Sequence, residues 1–315
     1  MELSLIDPDA PVADQAAAID AACRHVGFFH VPLSAIDVTV ADKAWAAASR
    51  FFALPEDEKR LVEFPEPGYP YGYAPFKYET LARSLDTESP AGPDLKETLS
   101  VGPDCAINQR AAANDHERWI RSPSLWPQHP ADLQSAWTDY YLALTSLADH
   151  LMSVMAVALD LTPDFFVDLT NRPMTSMRAL RYPALSPEFD VGTSLRAGAH
   201  SDYGTLTILR TDDVPGLEIQ ALDGTWQQVT PRPDAFIVNL GDSIAQWTND
   251  RWRSTLHRVS LGDRGARQSM AFFHMANWDA TIECLPTCRT EHAQPRHAPV
   301  QAGPWLMRKF TATVG

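Results

Sequence analysis

The run Gly198-Ala199-His200-Ser201-Asp202-Tyr203-Gly204 decides how this chain is organised. In an extended segment, residues i and i+2 project to the same side, so His200 and Asp202 point in one direction. A second histidine, His257, stands in the later run Ser254-Thr255-Leu256-His257-Arg258-Val259. A closed sheet brings two such runs alongside each other. We therefore predict that the two imidazoles and the carboxylate share one metal ion.

Two histidines and one carboxylate are typical of octahedral sites that leave three adjacent positions open, as in the facial triad of oxygen-activating non-haem Fe(II) enzymes. Arg267-Gln268-Ser269 repeats the spacing of two, so Arg267 and Ser269 also share a face. A guanidinium holds a carboxylate through two parallel hydrogen bonds, and a hydroxyl adds a further donor. The pattern indicates a dicarboxylic co-substrate bound beside the iron.

The order His-x-Asp, then His, then Arg-x-Ser resembles the isopenicillin N synthase-like branch of the 2-oxoglutarate and Fe(II)-dependent oxygenases. The run Met177-Arg178-Ala179-Leu180-Arg181-Tyr182-Pro183 resembles the family strand in which Tyr or Phe precedes a proline. The resemblance implies a double-stranded β-helix, or jelly roll, that uses Fe(II), 2-oxoglutarate and O2 to oxidise an unactivated C–H bond. It assigns His200, Asp202 and His257 to the iron, and Arg267, Ser269 and Tyr182 to 2-oxoglutarate.

Four further side chains are candidates for the wall of a substrate pocket. Tyr203 and Phe273 each stand close in sequence to an assigned site residue, although aromatic side chains of a sandwich more often belong to the core. Tyr73 falls in the stretch 63–97, where members of the family differ most. Arg308 lies in the final segment, which the resemblance brings across the open end of the barrel. A solvated arginine is the ordinary alternative there.

The distribution of apolar residues predicts helices over 10–26, 41–54 and 130–161, a strand over 28–33 and an ordered loop over 64–75. After Pro173 the chain changes to short β-rich runs. These facts favour an α+β fold with a jelly-roll core and flanking helices. We expect one domain over 1–315, with a mostly helical part (1–172), the core with the iron site (173–285) and a C-terminal segment (286–315). The strands predicted in the second part are 177–182, 205–209, 217–220, 225–229, 236–239, 257–261 and 269–274.

The net charge of -14 argues against binding to nucleic acid or anionic membranes, because both require a basic surface. We expect an enzyme of small molecules located in the cytoplasm. Four cysteines do not make a disulfide scaffold in a chain of 315 residues. The series Cys284, Cys288 and His292 does not have a common zinc spacing, so we expect no zinc site there.

Two other functions stay open at this point. An oxidase of the same fold could use Arg267 and Ser269 to hold its substrate's own carboxylate instead of 2-oxoglutarate. A jelly-roll protein could also bind a ligand without catalysis, although an intact set of iron ligands speaks against this. The Ala-, Pro- and Arg-rich composition is typical of a GC-rich bacterial genome, and we expect tailoring of a secondary metabolite. Hydroxylation, desaturation and ring formation are all compatible with the sequence.

Overall fold

The computed structural model describes residues 1–66, 68–85, 92–105, 114–189, 192, 194–262, 264–289 and 294–314. The helices are α1 (Val12–His25), α2 (Val38–Phe52), α3 (Glu56–Arg60), α4 (Asp115–Ile120), α5 (Leu133–Ala158), α6 (Val167–Thr170), α7 (Asp242–Trp247) and α8 (Ala302–Val314). The strands are β1 (Phe28–Pro32), β2 (Gly72–Ala74), β3 (Glu97–Val101), β4 (Ser176–Tyr182), β5 (Ala197–His200), β6 (Leu206–Thr211), β7 (Leu217–Gln220), β8 (Trp226–Gln228), β9 (Ala235–Leu240), β10 (His257–Val259), β11 (Arg267–His274), β12 (Thr281–Ile282) and β13 (Val300–Gln301).

Two antiparallel sheets face each other and form the jelly-roll core. The larger sheet has seven strands in the order β1-β9-β6-β11-β4-β3-β2, and the smaller has four in the order β5-β10-β7-β8. Their inner faces meet where Tyr182 of β4 packs with Ala197 of β5 and Val259 of β10. The predicted α+β class and jelly roll are confirmed.

Strand β11 shows how one strand serves both the cavity and the helical layer. Its alternate residues Arg267, Ser269, Ala271 and Phe273 line the cavity between the sheets. Phe272 projects the other way and meets Tyr141 of α5 edge to face, with ring centroids 5.1 Å apart. The period of two thus divides one strand between the functional cavity and the helical layer.

Helix α5 is the central element of that helical layer. It is long and apolar enough to cross a membrane by length and composition alone. In this fold its buried side chains instead pack within the main core, together with buried residues of α1 and α2. The indole of Trp137 donates a hydrogen bond to the carbonyl oxygen of Ala44 in α2 at 3.2 Å. The three helices predicted from apolar spacing are all present; α1 and α5 are shorter at both ends, whereas α2 begins three residues earlier and ends two residues earlier than predicted.

The first part of the chain contributes more strands than the sequence indicated. Strand β1 was predicted, but β2 lies inside the predicted loop 64–75, and β3 was missed. All five residues of β3 are buried, including the polar Glu97, Thr98 and Ser100, so the strand has no alternating pattern. The pairing of β3 with β4, and of β2 with β3, supplies the hydrogen bonds that hold both segments extended.

Gly27 joins α1 to β1 and supports the segment that leads to His257. Its φ of +73° is in the left-handed region, and a Cβ there would lie 2.1 Å from the carbonyl oxygen of Arg253. Nearby, the Thr255 hydroxyl donates to the carbonyl oxygen of Val26 at 2.7 Å. A glycine at this position therefore allows the chain before His257 to lie directly against the end of α1.

We expect Gly27→Ala to destabilise the protein more than Gly224→Ala does. Gly224 also has a positive φ, +83°, but nothing lies within 4 Å of its Cβ position. The shared cost of the left-handed backbone is about 1–2 kcal/mol, and the clash at Gly27 adds ~1–3 kcal/mol. Urea unfolding of the metal-free variants measures both costs. Equal midpoints would contradict the close packing described above.

Candidate metal centre

The pairing of β5 with β10 brings the two predicted histidines together. His257 lies opposite His200 in the antiparallel register, and their ring centroids are 4.3 Å apart. The Nε2 atoms of His200 and His257 lie 3.9 and 3.8 Å from Oδ1 of Asp202. One potential ligand atom from each residue lies within 4.8 Å of the other two. This is the spacing of three ligands around a single ion.

Backbone carbonyls fix the tautomer of both rings. Nδ1 of His200 lies 2.7 Å from the carbonyl oxygen of Gly198, and Nδ1 of His257 lies 3.1 Å from that of Thr255. A carbonyl only accepts, so each Nδ1 carries the proton and each Nε2 keeps a free lone pair. Phe28 packs its edge against His257 at 5.5 Å. Both rings are therefore oriented for a metal before it binds.

Asp202 is held so that one carboxylate oxygen stays available. Its Oδ2 accepts hydrogen bonds from the Thr207 hydroxyl at 2.5 Å and from the Asn239 amide at 2.7 Å. Thr207 and Asn239 lie opposite each other on β6 and β9, so adjacent strands supply both donors. Oδ1 faces the two histidines. Two imidazole nitrogens and one carboxylate oxygen, with no thiolate, fit an Fe(II) ion of the facial-triad type.

Burial and neighbouring groups together set the protonation of His200 and Asp202. Desolvation, with a smaller contribution from the neighbouring His257, lowers the pKa of His200 to about 4, so its imidazole is neutral near pH 7. Burial of Asp202 opposes ionisation, but the facing His257 and His200 and the bonds from Asn239 and Thr207 outweigh it and lower its pKa. The carboxylate is ionised and the imidazole is unprotonated, which are the forms that bind metal.

A cationic clamp lies on the same inner face as the metal ligands. Arg267, Ser269 and Tyr182 are all about 2% exposed and all line the cavity that contains the triad. The Arg267 guanidinium lies 5.0 Å from the centroid of the Tyr182 ring, and its Nη1 donates to the Ser269 hydroxyl at 3.4 Å. The nearest carboxylate, Asp212, is 4.0 Å away, which leaves the guanidinium available for an anion.

The C-terminal helix forms part of the cavity wall. Leu306 and Phe310 of α8 line the cavity, and the Phe310 ring meets Trp119 of α4 at 4.9 Å. Gly303 lies against the indole of Trp278, where a Cβ would be 2.2 Å from a ring carbon. The structure thus brings the final segment across the cavity, and it places the sequence candidates Tyr203 and Phe273 in the lining.

A carboxylate near the metal ligands also contacts helix α8. Asp242 accepts hydrogen bonds from the hydroxyls of Ser254 at 2.6 Å and Ser201 at 3.3 Å. Its backbone N–H donates to the carbonyl oxygen of Asp202 at 2.8 Å. The ammonium of Lys309 forms an ion pair with the same carboxylate. Asp242 therefore joins both ligand-bearing segments to α8.

Two of the pocket candidates are corrected by the structure. Tyr73 is fully buried outside the cavity lining, because its hydroxyl donates to the carboxylate of Glu97 at 2.6 Å within the core. Arg308 is exposed. It lies two positions from both Leu306 and Phe310, and a helix turns about 100° per residue, so it projects from the opposite face.

Two further groups that the sequence brings to attention lie outside the cavity lining. Arg258, beside a metal ligand, points away from the cavity and pairs with Glu218 at 2.6 Å. Cys284 and Cys288 are buried free thiols. His292, the third residue of that zinc candidate, lies outside the described residues.

Sequence reasoning missed several residues of the site. Thr207 and Asn239 gave no usable signal, because their effect depends on which strands are neighbours. Arg178 did give a sequence signal, because its spacing from Tyr182 places both residues on one face of a strand. In the structure Arg178 lines the same cavity as Tyr182. Glu79, which pairs with Arg178 at 2.9 Å, comes from a segment with no recognisable pattern.

Comparisons with known proteins agree with this geometry. Residues 174–276 match the family model described as the 2OG-Fe(II) oxygenase superfamily. Residues 1–129 match the N-terminal model described as non-haem dioxygenase in morphine synthesis. The 2-oxoglutarate-Fe(II) type oxidoreductase hxnY of Emericella nidulans is 34% identical over 282 residues, which are 88% of this chain and 78% of hxnY.

Two further proteins show the same likeness. Homoarginine-6-hydroxylase of Arabidopsis thaliana is 30% identical over 293 residues, which cover 90% of this chain and 83% of the plant protein. The crystal structure of a full-length protein from Neurospora crassa in complex with alpha-KG has a TM-score of 0.83 and 25% identity to this chain. That match covers 98% of this chain and 95% of the fungal protein.

We expect Thr207→Val to weaken metal binding by roughly 10- to 100-fold, because the variant loses a hydrogen bond that orients the Asp202 carboxylate. Thr207→Ser keeps the hydroxyl and is the matched control, with affinity close to that of the wild type. Anaerobic titration with Fe(II) measures the three dissociation constants. Wild-type affinity in Thr207→Val would show that Asn239 alone suffices to hold the carboxylate.

Proposed function

Because this chain belongs to the 2OG-Fe(II) oxygenase superfamily, we propose that its natural task is the oxidative tailoring of a secondary metabolite. The reaction class is that of a 2-oxoglutarate-dependent dioxygenase acting on a small molecule. This reaction class is supported by one cavity that contains both the triad of His200, Asp202 and His257 and the Arg267 clamp. Relatives that include a clavatol oxidase of Penicillium crustosum support the metabolic role.

His200, Asp202 and His257 would hold Fe(II), which would supply the redox chemistry for oxidation of a substrate by O2 with conversion of 2-oxoglutarate to succinate and CO2. The side chains contribute position and charge. Arg267 and Ser269, with Tyr182 beside the guanidinium, would hold the distal carboxylate of 2-oxoglutarate. The buried surroundings strengthen that charge-assisted contact, because little water competes for the guanidinium.

The cavity walls also exclude water from the reacting carbon. Phe273 and Tyr203 line the space beside the triad, and Leu306 and Phe310 of α8 cover it. Apolar walls that keep water out limit side reactions of the reacting centre with solvent. The position of a substrate between these walls decides whether hydroxylation, desaturation or ring formation follows.

We also propose that the protein works in the cytoplasm on free small molecules. Among the described residues, Cys23, Cys284 and Cys288 are reduced thiols, which suits a reducing compartment. The acidic net charge of -14 disfavours contact with nucleic acid and with anionic membranes. Fractionation of cells that make the protein tests the location.

Anaerobic addition of 2-oxoglutarate to the Fe(II)-loaded protein tests the proposed function directly. A metal-to-ligand charge-transfer band should appear, and exposure to O2 should then yield succinate and CO2. His200→Ala, Asp202→Ala and His257→Ala should each abolish both signals in a folded protein. An oxidase that does not use 2-oxoglutarate would give neither the band nor succinate. A folded, fully active alanine variant would contradict the assignment of that ligand.

We expect Arg267→Lys to raise the apparent KM for 2-oxoglutarate roughly 10- to 100-fold, because a point charge replaces the two-pronged guanidinium. Arg258→Lys is the matched control, since Arg258 points away from the cavity and pairs with Glu218. Succinate formation at varied 2-oxoglutarate concentrations measures the effect. An unchanged KM in Arg267→Lys would move the carboxylate clamp to another residue.

A further inference from the structure

The cavity extends beyond the metal centre and the 2-oxoglutarate clamp along the inner faces of β4 and β11. Tyr182 pairs with Arg267, whereas Arg178 pairs with Ala271 further along the same two strands. From Tyr182 to Arg178 the extended strand covers about 13 Å. This distance exceeds the length of 2-oxoglutarate, so Arg178 lies in the part of the cavity that is left for the primary substrate.

Arg178 is held rigidly with one edge turned to that space. Its Nη1 donates to Oε1 and Oε2 of Glu79 at 2.9 and 3.0 Å, and its Nε donates to the Ser100 hydroxyl at 2.8 Å. Its Nη2 makes no hydrogen bond within the described ranges of the chain. The side chain keeps 20% exposure in a position that lines the cavity. The Nη2 N–H groups are therefore available to an acceptor in the cavity.

The charges around Arg178 are already balanced. Lys96 lies 3.2 Å from Glu79 and 2.5 Å from Asp94. Burial opposes ionisation of Glu79, but Arg178 and Lys96 lower its pKa; burial likewise opposes the charged Lys96, whose pKa is raised by Asp94 and Glu79. The two cations and two carboxylates sum to zero. A substrate carboxylate would add an uncompensated buried charge, whereas a neutral acceptor oxygen would not.

The remaining walls are apolar and aromatic. Phe273 of β11 and Met275, just after the end of that strand, lie beyond Ala271, while Trp119 of α4 and Leu306 and Phe310 of α8 close the space. Flat aromatic faces favour contact with another ring system through offset or edge-to-face packing. Of the described charged residues that line the cavity, Arg178 and Glu79 are the pair outside the metal ligands and the Arg267 clamp.

We propose that Arg178 is the substrate-anchoring residue and that the primary substrate is a small neutral ring compound with a carbonyl oxygen, such as a cyclic amide. The carbonyl oxygen accepts a hydrogen bond from Nη2 of Arg178, and the ring lies among the aromatic walls. This inference rests on the proposed function, because it concerns the second substrate of the same site.

Matched probes test the chemical class. The Fe(II)-loaded protein with 2-oxoglutarate is titrated anaerobically with 2-pyridone and 2-quinolone, with benzoate and 2-naphthoate, and with toluene and naphthalene. Perturbation of the charge-transfer band gives each dissociation constant. We expect the cyclic amides to bind at least about 10-fold tighter than the acids and hydrocarbons of similar size. Acids that bind as tightly as the amides, or amides that fail to bind, overturn the proposal.

Variants test the anchoring residue. Arg178→Met should weaken binding of the cyclic amides roughly 10- to 100-fold. Because this change leaves Glu79 short of a partner, the double variant Arg178→Met/Glu79→Gln keeps the cluster neutral and should show the same loss. Arg181→Met is the matched control, since Arg181 lies on the opposite face of β4 and should leave amide binding unchanged. Wild-type amide affinity in the folded double variant overturns the proposal.

The proposed function and the inferred substrate class are tested separately. The band that 2-oxoglutarate alone produces in the wild-type protein tests the proposed function before any probe is added. If that band is absent, the function itself is wrong. If it forms and the amides show no preference, only the inferred substrate class is wrong.

Discussion

The antiparallel pairing of His257 with His200 is the constraint on which the rest of the structure depends. A metal ligand set needs side chains held to a fraction of an ångström, and neighbouring strands of a sheet provide that rigidity. Each ring is then fixed by the carbonyl oxygen two residues before it in the chain. The two strands thus supply both the ligands and the acceptors that orient them. A slip of one residue in this register would turn His257 to the opposite face.

The larger sheet buries several polar side chains that have defined partners near the site. Thr207 and Asn239 donate hydrogen bonds to the Asp202 carboxylate, and the Glu79 carboxylate accepts hydrogen bonds from Arg178. Buried charges are costly unless they are paired, so these contacts restrict each side chain to one geometry. The cavity is consequently preorganised at three successive places: the carboxylate clamp, the metal ligands and the proposed substrate anchor.

Local patterns predicted the parts of the fold and site that depend on neighbouring residues. A short β-rich run indicated the strand that carries Tyr182, period-two spacing placed Arg267 and Ser269 on one face, and apolar spacing identified α5. Strand β3 could not be found in this way, because both its faces are buried and two of its polar residues, Glu97 and Ser100, bond to side chains of other segments. Tyr73 was misplaced for a related reason, since its hydroxyl serves the buried Glu97. Contacts of this kind arise from tertiary neighbours that sequence spacing does not reveal.

The Asp242 carboxylate gives the enzyme a mechanical property. It bonds to the serines beside both histidine-bearing segments and, through Lys309, to the helix that covers the cavity. Iron binding and the position of α8 over the cavity are linked through this one carboxylate, and such coupling is reciprocal. Iron binding therefore favours the position of α8 over the cavity, and that position favours iron binding. A displacement of α8 would separate Lys309 from Asp242 and so disturb the hydrogen bonds that Asp242 makes beside both histidine-bearing segments. The cover of the cavity and the support of the iron ligands are therefore parts of one network of polar contacts.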